Sequence, residues 1–214
     1  MRFLQYDAVL LDMDGTLVDS ETLWRIAERE FAERHRLPLT HAVQQTFAGQ
    51  AVPSVMAFLK LEFGLAGTID ERVTELESIV KKLLPTVKEN AGASELIELL
   101  NKYEMPRAIA SNSSRDIIAA TLVNQPWAKD IPLRFSVDDV TKGKPEPELY
   151  LLAASSLNVK PENCLVIEDS LTGTRAAVRA GMTCCLITHA HDLQTDLTPL
   201  IFRDLLQVLE WLYE

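Results

Sequence analysis

Four short apolar runs punctuate the chain: Ala8-Val9-Leu10-Leu11, Arg107-Ala108-Ile109-Ala110, Cys164-Leu165-Val166-Ile167 and Thr183-Cys184-Cys185-Leu186-Ile187. None alternates with polar residues, and continuous runs of this length suit strands buried on both faces of a parallel sheet. Between them lie stretches of helical length at 94–103, 114–123, 147–157 and 171–180. Strand and helix in alternation predict an α/β class: a doubly wound, Rossmann-like parallel sheet that binds ligands at the carboxyl ends of its strands.

Residues 20–84 break this rhythm, with helical periodicity and no strand-like run. Leu23, Ile26, Ala27 and Phe31 fall on one predicted helix face, and Val73, Leu76, Ile79, Val80 and Leu83 on another. So long a helical excursion exceeds a normal crossover. It predicts a small α-helical cap domain inserted after the first strand, over the strand ends. The expected division is a core of residues 1–16 and 86–214 and a cap of residues 17–85, with Pro85 and the Asn90-Ala91-Gly92 turn marking the return.

Composition changes the picture only at the level of partners. With 47% hydrophobic and 24% charged residues the 214-residue chain reads as an ordinary globular protein. A formal net charge of -10 opposes nucleic acid and anionic membranes, which demand clustered cations. The cysteines, Cys164, Cys184 and Cys185, sit in apolar runs without C-x-x-C spacing and read as buried free thiols. No signal-peptide pattern and no membrane-length apolar run occurs, so a cytoplasmic monomer is expected.

The chemistry concentrates where the predicted strands end. Asp12-Met13-Asp14-Gly15-Thr16-Leu17 follows the first run directly. Two carboxylates two residues apart can converge on one ligand, one as nucleophile or metal ligand and the other as acid and base. Gly15 supplies freedom for a sharp turn. Ser111-Asn112-Ser113 ends the second run with hydroxyl and backbone donors, which fits an anion at a helix start as well as ordinary capping. Lys142-Gly143-Lys144-Pro145-Glu146-Pro147 brings cations to a loop. Glu168-Asp169-Ser170 places a second acidic pair after the third run. Acids from two strand ends make an oxygen site for Mg²⁺.

Acid pair, serine, lysine loop and acid pair, in that order, resemble the haloacid dehalogenase-like hydrolase superfamily over nearly the whole chain. The resemblance implies that Asp12 is a nucleophile forming an aspartyl phosphate. It implies that Asp14 protonates the leaving oxygen, then activates water, and lends its backbone carbonyl to Mg²⁺. Ser111 and the Asn112 N–H would hold the phosphoryl group, and Lys144 would neutralise Asp12 and phosphate oxygens. Asp169 would ligate the metal, with Glu168 either a further ligand or an orienter of Lys144. Dehalogenases of the superfamily need no leaving-group acid, so Asp14 favours phosphoryl chemistry on a small phosphorylated metabolite enclosed by the cap.

Residues 17–24, Leu-Val-Asp-Ser-Glu-Thr-Leu-Trp, are similar to capped phosphatases of hexose, deoxyhexose or hexitol phosphates. Glu21 at the cap helix start and Gln50 after Gly49 are candidate specificity contacts, and Trp24 fits a core role. A β-phosphoglucomutase-like mutase is the alternative within the superfamily. Its usual cap-loop Arg and hinge His are absent from Gln50-Ala51-Val52-Pro53 and from Asp19-Ser20-Glu21-Thr22-Leu23. A catalytically inactive binding protein on the same fold is the alternative outside it, but no core acid or lysine is missing. His189 and His191 read as a solvated loop, and His35 and His41 carry no assigned role.

Overall fold

The computed structural model describes residues 1–47, 49–188 and 195–214. Among the described residues six parallel strands, β1 (Ala8–Leu11), β2 (Arg107–Ser111), β3 (Arg134–Ser136), β4 (Cys164–Glu168), β5 (Thr183–Ile187) and β6 (Ile201–Phe202), lie in the order β3-β2-β1-β4-β5-β6. The chain winds outward from β1 to β3, then returns to β4 on the other side of β1. This reversal opens a crevice at the carboxyl edge. The register sets Leu11 level with Ile109 and Ile167, so the residues that follow all three strands emerge together.

Side chains alternate across the sheet, yet both faces are dry. Val9, Leu11, Ile109, Leu165, Ile167 and Cys185 meet helices α5 (Ala93–Lys102) and α9 (Leu205–Tyr213) and one side of α6 (Arg115–Leu122). Ala8, Leu10, Ala108, Ala110, Cys164, Val166 and Cys184 meet α7 (Glu148–Ser156) and α8 (Leu171–Arg179). Burial on both faces is why the strands show no polar alternation. The three cysteines are free and buried.

Strands β3 and β6 and helix α9 lie outside the sequence pattern. Strands β3 and β6 have three and two residues, too few for any periodicity to register. Helix α9 carried a readable signal: Asp204 caps it by accepting from Gln207 N, and Leu205, Val208, Leu209 and Leu212 recur at helical spacing.

The long insert between β1 and α5 folds as α1 (Glu21–His35), α2 (His41–Gln45), α3 (Val52–Phe63) and α4 (Ile69–Val80) around its own apolar cluster. Ala27 and Phe31 enter that cluster, but Ile26 does not and remains 48% exposed. At 100° per residue Ile26 lies about 140° from Phe31, beyond the arc one face can bury. Leu76, Ile79 and Val80 are buried as expected, while Leu83 falls past the end of α4. Ile117 of α6 completes the cluster, so the insert seats on the core through a shared apolar contact. Its two connections run side by side: Asp19 N donates to Lys88 O at 2.9 Å, Asn90 N donates to Leu17 O at 2.9 Å, and Val18 pairs with Glu89. Among the described residues no helix is long and apolar enough to cross a membrane. His189 and His191 lie outside the described residues.

Candidate active site

The sheet ladder extends one residue beyond β1, because Asp12 N donates to Ile167 O at 3.0 Å. Met13 then turns into the core, which sends Asp12 and Asp14 on either side of it toward a cavity of about 780 Å³ between sheet edge and insert. The chain folds back at once, with Leu17 N donating to Met13 O and Gly15 N donating to Val18 O at 2.8 Å. Gly15 has φ +83°, and a Cβ there would strike the Asp169 carboxylate. Asn90 secures the turn by donating its amide to the carbonyls of Gly15 and Thr16 at 2.7 and 3.0 Å.

Lys144 is buried between two carboxylates. Its Nζ donates to Asp12 Oδ1 and to Glu168 Oε1, both at 2.6 Å, and lies 4.8 Å from the centre of the Tyr150 ring. Burial alone would lower the ammonium pKa, but the Asp12 and Glu168 carboxylates outweigh it and hold the lysine charged. Asp12 is pushed up to about 7, first by burial and then by Glu168, with Lys144 opposing. Burial, followed by Asp12 and Glu168, also raises Asp169 well above the carboxylate range. Asp12 Oδ2 is buried and has no hydrogen-bond partner among the described residues.

Glu168 is fully occupied. Its Oε1 accepts from Lys144 and from Tyr150 OH at 3.0 Å, and its Oε2 accepts from Asp169 N, Ser170 N and Ser170 Oγ. The turn into α8 closes tightly around this carboxylate, and a Cβ on Gly173 would overlap it. These contacts tie Glu168 to Lys144 and to the start of α8.

Asp12, Glu168 and Asp169 carry ligand oxygens within 4.8 Å of one another. Three carboxylates face one ammonium there, and one carboxylate oxygen is orphaned. A hard divalent cation suits such a donor set, and Asp12 Oδ2 and Asp169 are the groups left to hold it. Asp14 stands apart from this group. Its Oδ1 accepts from Ser20 Oγ at 2.6 Å and Trp24 Nε1 at 3.4 Å, and its Oδ2 accepts from Ser111 Oγ at 3.2 Å and Ser113 Oγ at 2.7 Å.

Ser111 and Asn112 arrive at the end of β2, as expected, and both line the cavity. The Asn112 side chain performs a task beyond phosphate binding. Its Nδ2 donates to Gly49 O of the insert at 2.9 Å and to Lys144 O at 3.0 Å, and its Oδ1 accepts from Lys144 N at 2.8 Å. Glu21 and Gln50 line the cavity too, although Gln50 Nε2 is held by Thr46 O at 2.6 Å.

Several participants escaped sequence reasoning. Tyr150 had one signal, a phenol on an otherwise apolar helix face that must find a buried partner. Ser20 is the N-cap of α1 yet makes no side-chain cap bond; its backbone is helical rather than extended, and its hydroxyl donates to Asp14. Trp24 packs against the insert's apolar cluster, as its core reading had it, and also donates from Nε1 to Asp14 at the cavity wall. Nothing in the linear spacing foretells Glu28 and Gln44, which meet at 3.0 Å in the same wall.

Residues 9–187 match the family described as haloacid dehalogenase-like hydrolase. The chain is 32% identical over 190 residues to the validoxylamine A 7'-phosphate phosphatase of Streptomyces hygroscopicus subsp. limoneus, covering 88% of this chain and 89% of that one. It is 32% identical over 180 residues to the phosphorylated carbohydrates phosphatase of Thermotoga maritima, covering 82% of each. The β-phosphoglucomutase of Clostridium difficile shares the fold, with a TM-score of 0.87 at 18% identity over 97% of this chain and 96% of that one. The chain belongs to the haloacid dehalogenase-like hydrolases, and within them it is a phosphatase.

Proposed function

We propose that the protein is a magnesium-dependent phosphatase that hydrolyses a small phosphate monoester of a hexose, deoxyhexose or hexitol through an aspartyl phosphate on Asp12, with residues 17–85 serving as a cap over the site. The observation that carries the reading is the split environment of Asp12. Lys144 fixes Oδ1, while Oδ2 is buried and unpartnered beside Asp169. Relatives named for phosphorylated carbohydrates and for hexitol phosphatase activity support the substrate class. A concave cavity of this size between sheet edge and insert supports a small leaving group over a macromolecule.

Asp12 attacks phosphorus, forming a P–O bond as the bond to the leaving oxygen breaks. Asp14, in its protonated form, gives that oxygen its proton. The resulting Asp14 carboxylate then takes a proton from a water that attacks the phosphoryl group, releasing phosphate and free Asp12. When bound, Mg²⁺ held by Asp12, Asp169 and the Asp14 backbone carbonyl would offset the charge that otherwise keeps a carboxylate from an anionic phosphate. Lys144 contributes the fixed cation on the same side, kept in line by Glu168 and Tyr150.

The described arrangement holds Asp14 as an acceptor of four donors. Ser111 must turn from Asp14 to the phosphoryl oxygens when substrate binds, which loosens Asp14 for proton transfer. Substrate entry and activation of the acid are thereby coupled through one hydroxyl.

A mutase would have to return the phosphoryl group to a sugar, and the loop after Gly49 offers Gln50-Ala51-Val52-Pro53 in place of a cation to hold it. Turnover of p-nitrophenyl phosphate should require Mg²⁺ and vanish in Asp12→Asn. Metal-independent turnover, or full activity in Asp12→Asn, would contradict this function.

A further inference from the structure

One stripe of α1 faces the cavity without taking part in the chemistry described above. Glu21, Trp24, Arg25 and Glu28 recur at steps of three and four residues, so they share one side of the helix, and all four line the cavity. The adjoining stripe of Ala27 and Phe31 anchors that helix in the insert's apolar cluster, which fixes the direction of the polar one. Trp24 is already committed to Asp14. Arg25 is committed too, lying 3.7 Å from Glu21 and donating to Thr22 Oγ1 at 3.4 Å.

Glu28 differs from its neighbours on that side. Gln44 on α2 is buried, and its Nε2 donates both to Arg25 O at 3.2 Å and to Glu28 Oε2 at 3.0 Å. The amide thus fixes one oxygen of the carboxylate, and no described side chain donates to the other, Oε1. A carboxylate fixed in this way is a directional hydrogen-bond acceptor, suited to hydroxyl groups that can donate to it. The charge of the wall points the same way. Away from Lys144, Asp19, Glu21, Glu28 and Asp204 line the cavity against Arg25 and Arg203, so acids outnumber cations there, and the Arg25 guanidinium already has a carboxylate beside it. Burial foremost, then Glu21, also makes the Glu28 carboxyl reluctant to ionise, a cost that a donating hydroxyl would relieve.

We infer that Glu28, aligned by Gln44, is a specificity-determining residue that accepts hydrogen bonds from the leaving group's hydroxyls and, with Asp19 and Glu21, turns away a second anionic group. The substrate is then the monophosphate of an uncharged polyhydroxylated molecule, and bisphosphates and phosphorylated carboxylic acids are excluded. This inference rests on the proposed function of the same site and adds to it the sign of charge tolerated in the leaving group.

The test compares kcat and KM for a hexitol monophosphate, a hexose bisphosphate, phosphoglycolate and p-nitrophenyl phosphate at one Mg²⁺ concentration. The wild type should prefer the hexitol monophosphate to both doubly anionic substrates. Glu28→Leu should lower kcat/KM for the hexitol monophosphate by roughly 10- to 100-fold, chiefly through KM, as expected for the loss of a bond to a charged acceptor. Its kcat/KM for p-nitrophenyl phosphate, which has no hydroxyl to donate to Glu28, should fall by much less than that for the hexitol monophosphate. Glu28→Gln keeps an acceptor for Gln44 and removes the charge, so it should narrow the gap between mono- and bisphosphate even if the leucine variant does not fold. Wild-type preference for a bisphosphate or phosphoglycolate, or a Glu28→Gln variant that leaves the gap unchanged, would overturn the inference while aryl-phosphate turnover stood. Absence of aryl-phosphate turnover in the wild type would instead remove the reading beneath it.

Discussion

Lys144 sits between Asp12 and Glu168 at 2.6 Å from each, so its loss leaves two buried carboxylates facing each other. Lys144→Met should therefore unfold about 3–5 kcal/mol more easily in urea at neutral pH, the usual cost of stranding a buried charge. Its turnover should fall by at least ~10²-fold, as for removal of a fixed electrostatic donor. Wild-type stability in that variant would contradict the burial of the pair. Glu28 gives a second test with a defined sign. Its folded pKa, about 7, lies above the ordinary 4.5, mainly through burial, with Gln44 and Arg25 opposing and Glu21 adding to it. The native state therefore keeps a proton that the unfolded chain has lost, and stability falls as pH rises from about 4.5 to about 7. Glu28→Gln should have a higher Tm than wild type at pH 8, and the difference should vanish near pH 4. A constant difference across that range would show that Glu28 does not titrate as described.

At the scale of elements, the site is held by contacts that tie one loop to another. Asn112 links the Gly49 loop of the insert to the Lys144 loop of the core through both ends of one amide. Asn112→Ala should raise KM by about tenfold, in line with the loss of one or two buried hydrogen bonds, and should expose residues 49–51 to protease. An unaltered cleavage pattern would refute the link. Gly173 serves differently: its missing side chain makes room for the Glu168 carboxylate at the start of α8. Gly173→Ala should displace Glu168 and thus Lys144, lowering kcat about tenfold or more while costing about 1–3 kcal/mol, as overpacking does. Unequal legibility of the elements has a physical basis. Strands β1, β2, β4 and β5 were visible because burial on both faces demands unbroken apolar runs. Strands β3 and β6 were not, because their three and two residues contribute little but backbone pairing. Ile26 shows the limit of a periodicity argument, since a residue next to the anchor Ala27 can still lie off the buried arc.

At the scale of the whole molecule, the order of the strands brings residues far apart in the chain to one edge, and the chemistry depends on that convergence. Asp12, Ser111, Lys144 and Asp169 were legible because each stands at a strand end or in a loop with a fixed motif. The grip on Asp14 by Ser20 and Trp24 was not, because it joins the core motif to a helix whose own spacing reads as ordinary packing. The same holds for Glu28 and Gln44, which meet only after α1 and α2 fold together. Removal of Mg²⁺ with a chelator should abolish turnover and lower Tm, since a ligand of the native state alone stabilises it by about 2.7 kcal/mol at a hundredfold excess over its Kd. An unchanged Tm on adding Mg²⁺ back would argue against a site at Asp12 and Asp169. The most direct test is acid quenching of the enzyme during turnover, followed by mapping of the phosphoryl group by peptide mass spectrometry. The phosphoryl group should lie on Asp12 in the wild type and be absent in Asp12→Asn; its attachment to another residue, or turnover without any phosphorylated enzyme, would contradict the central role of Asp12.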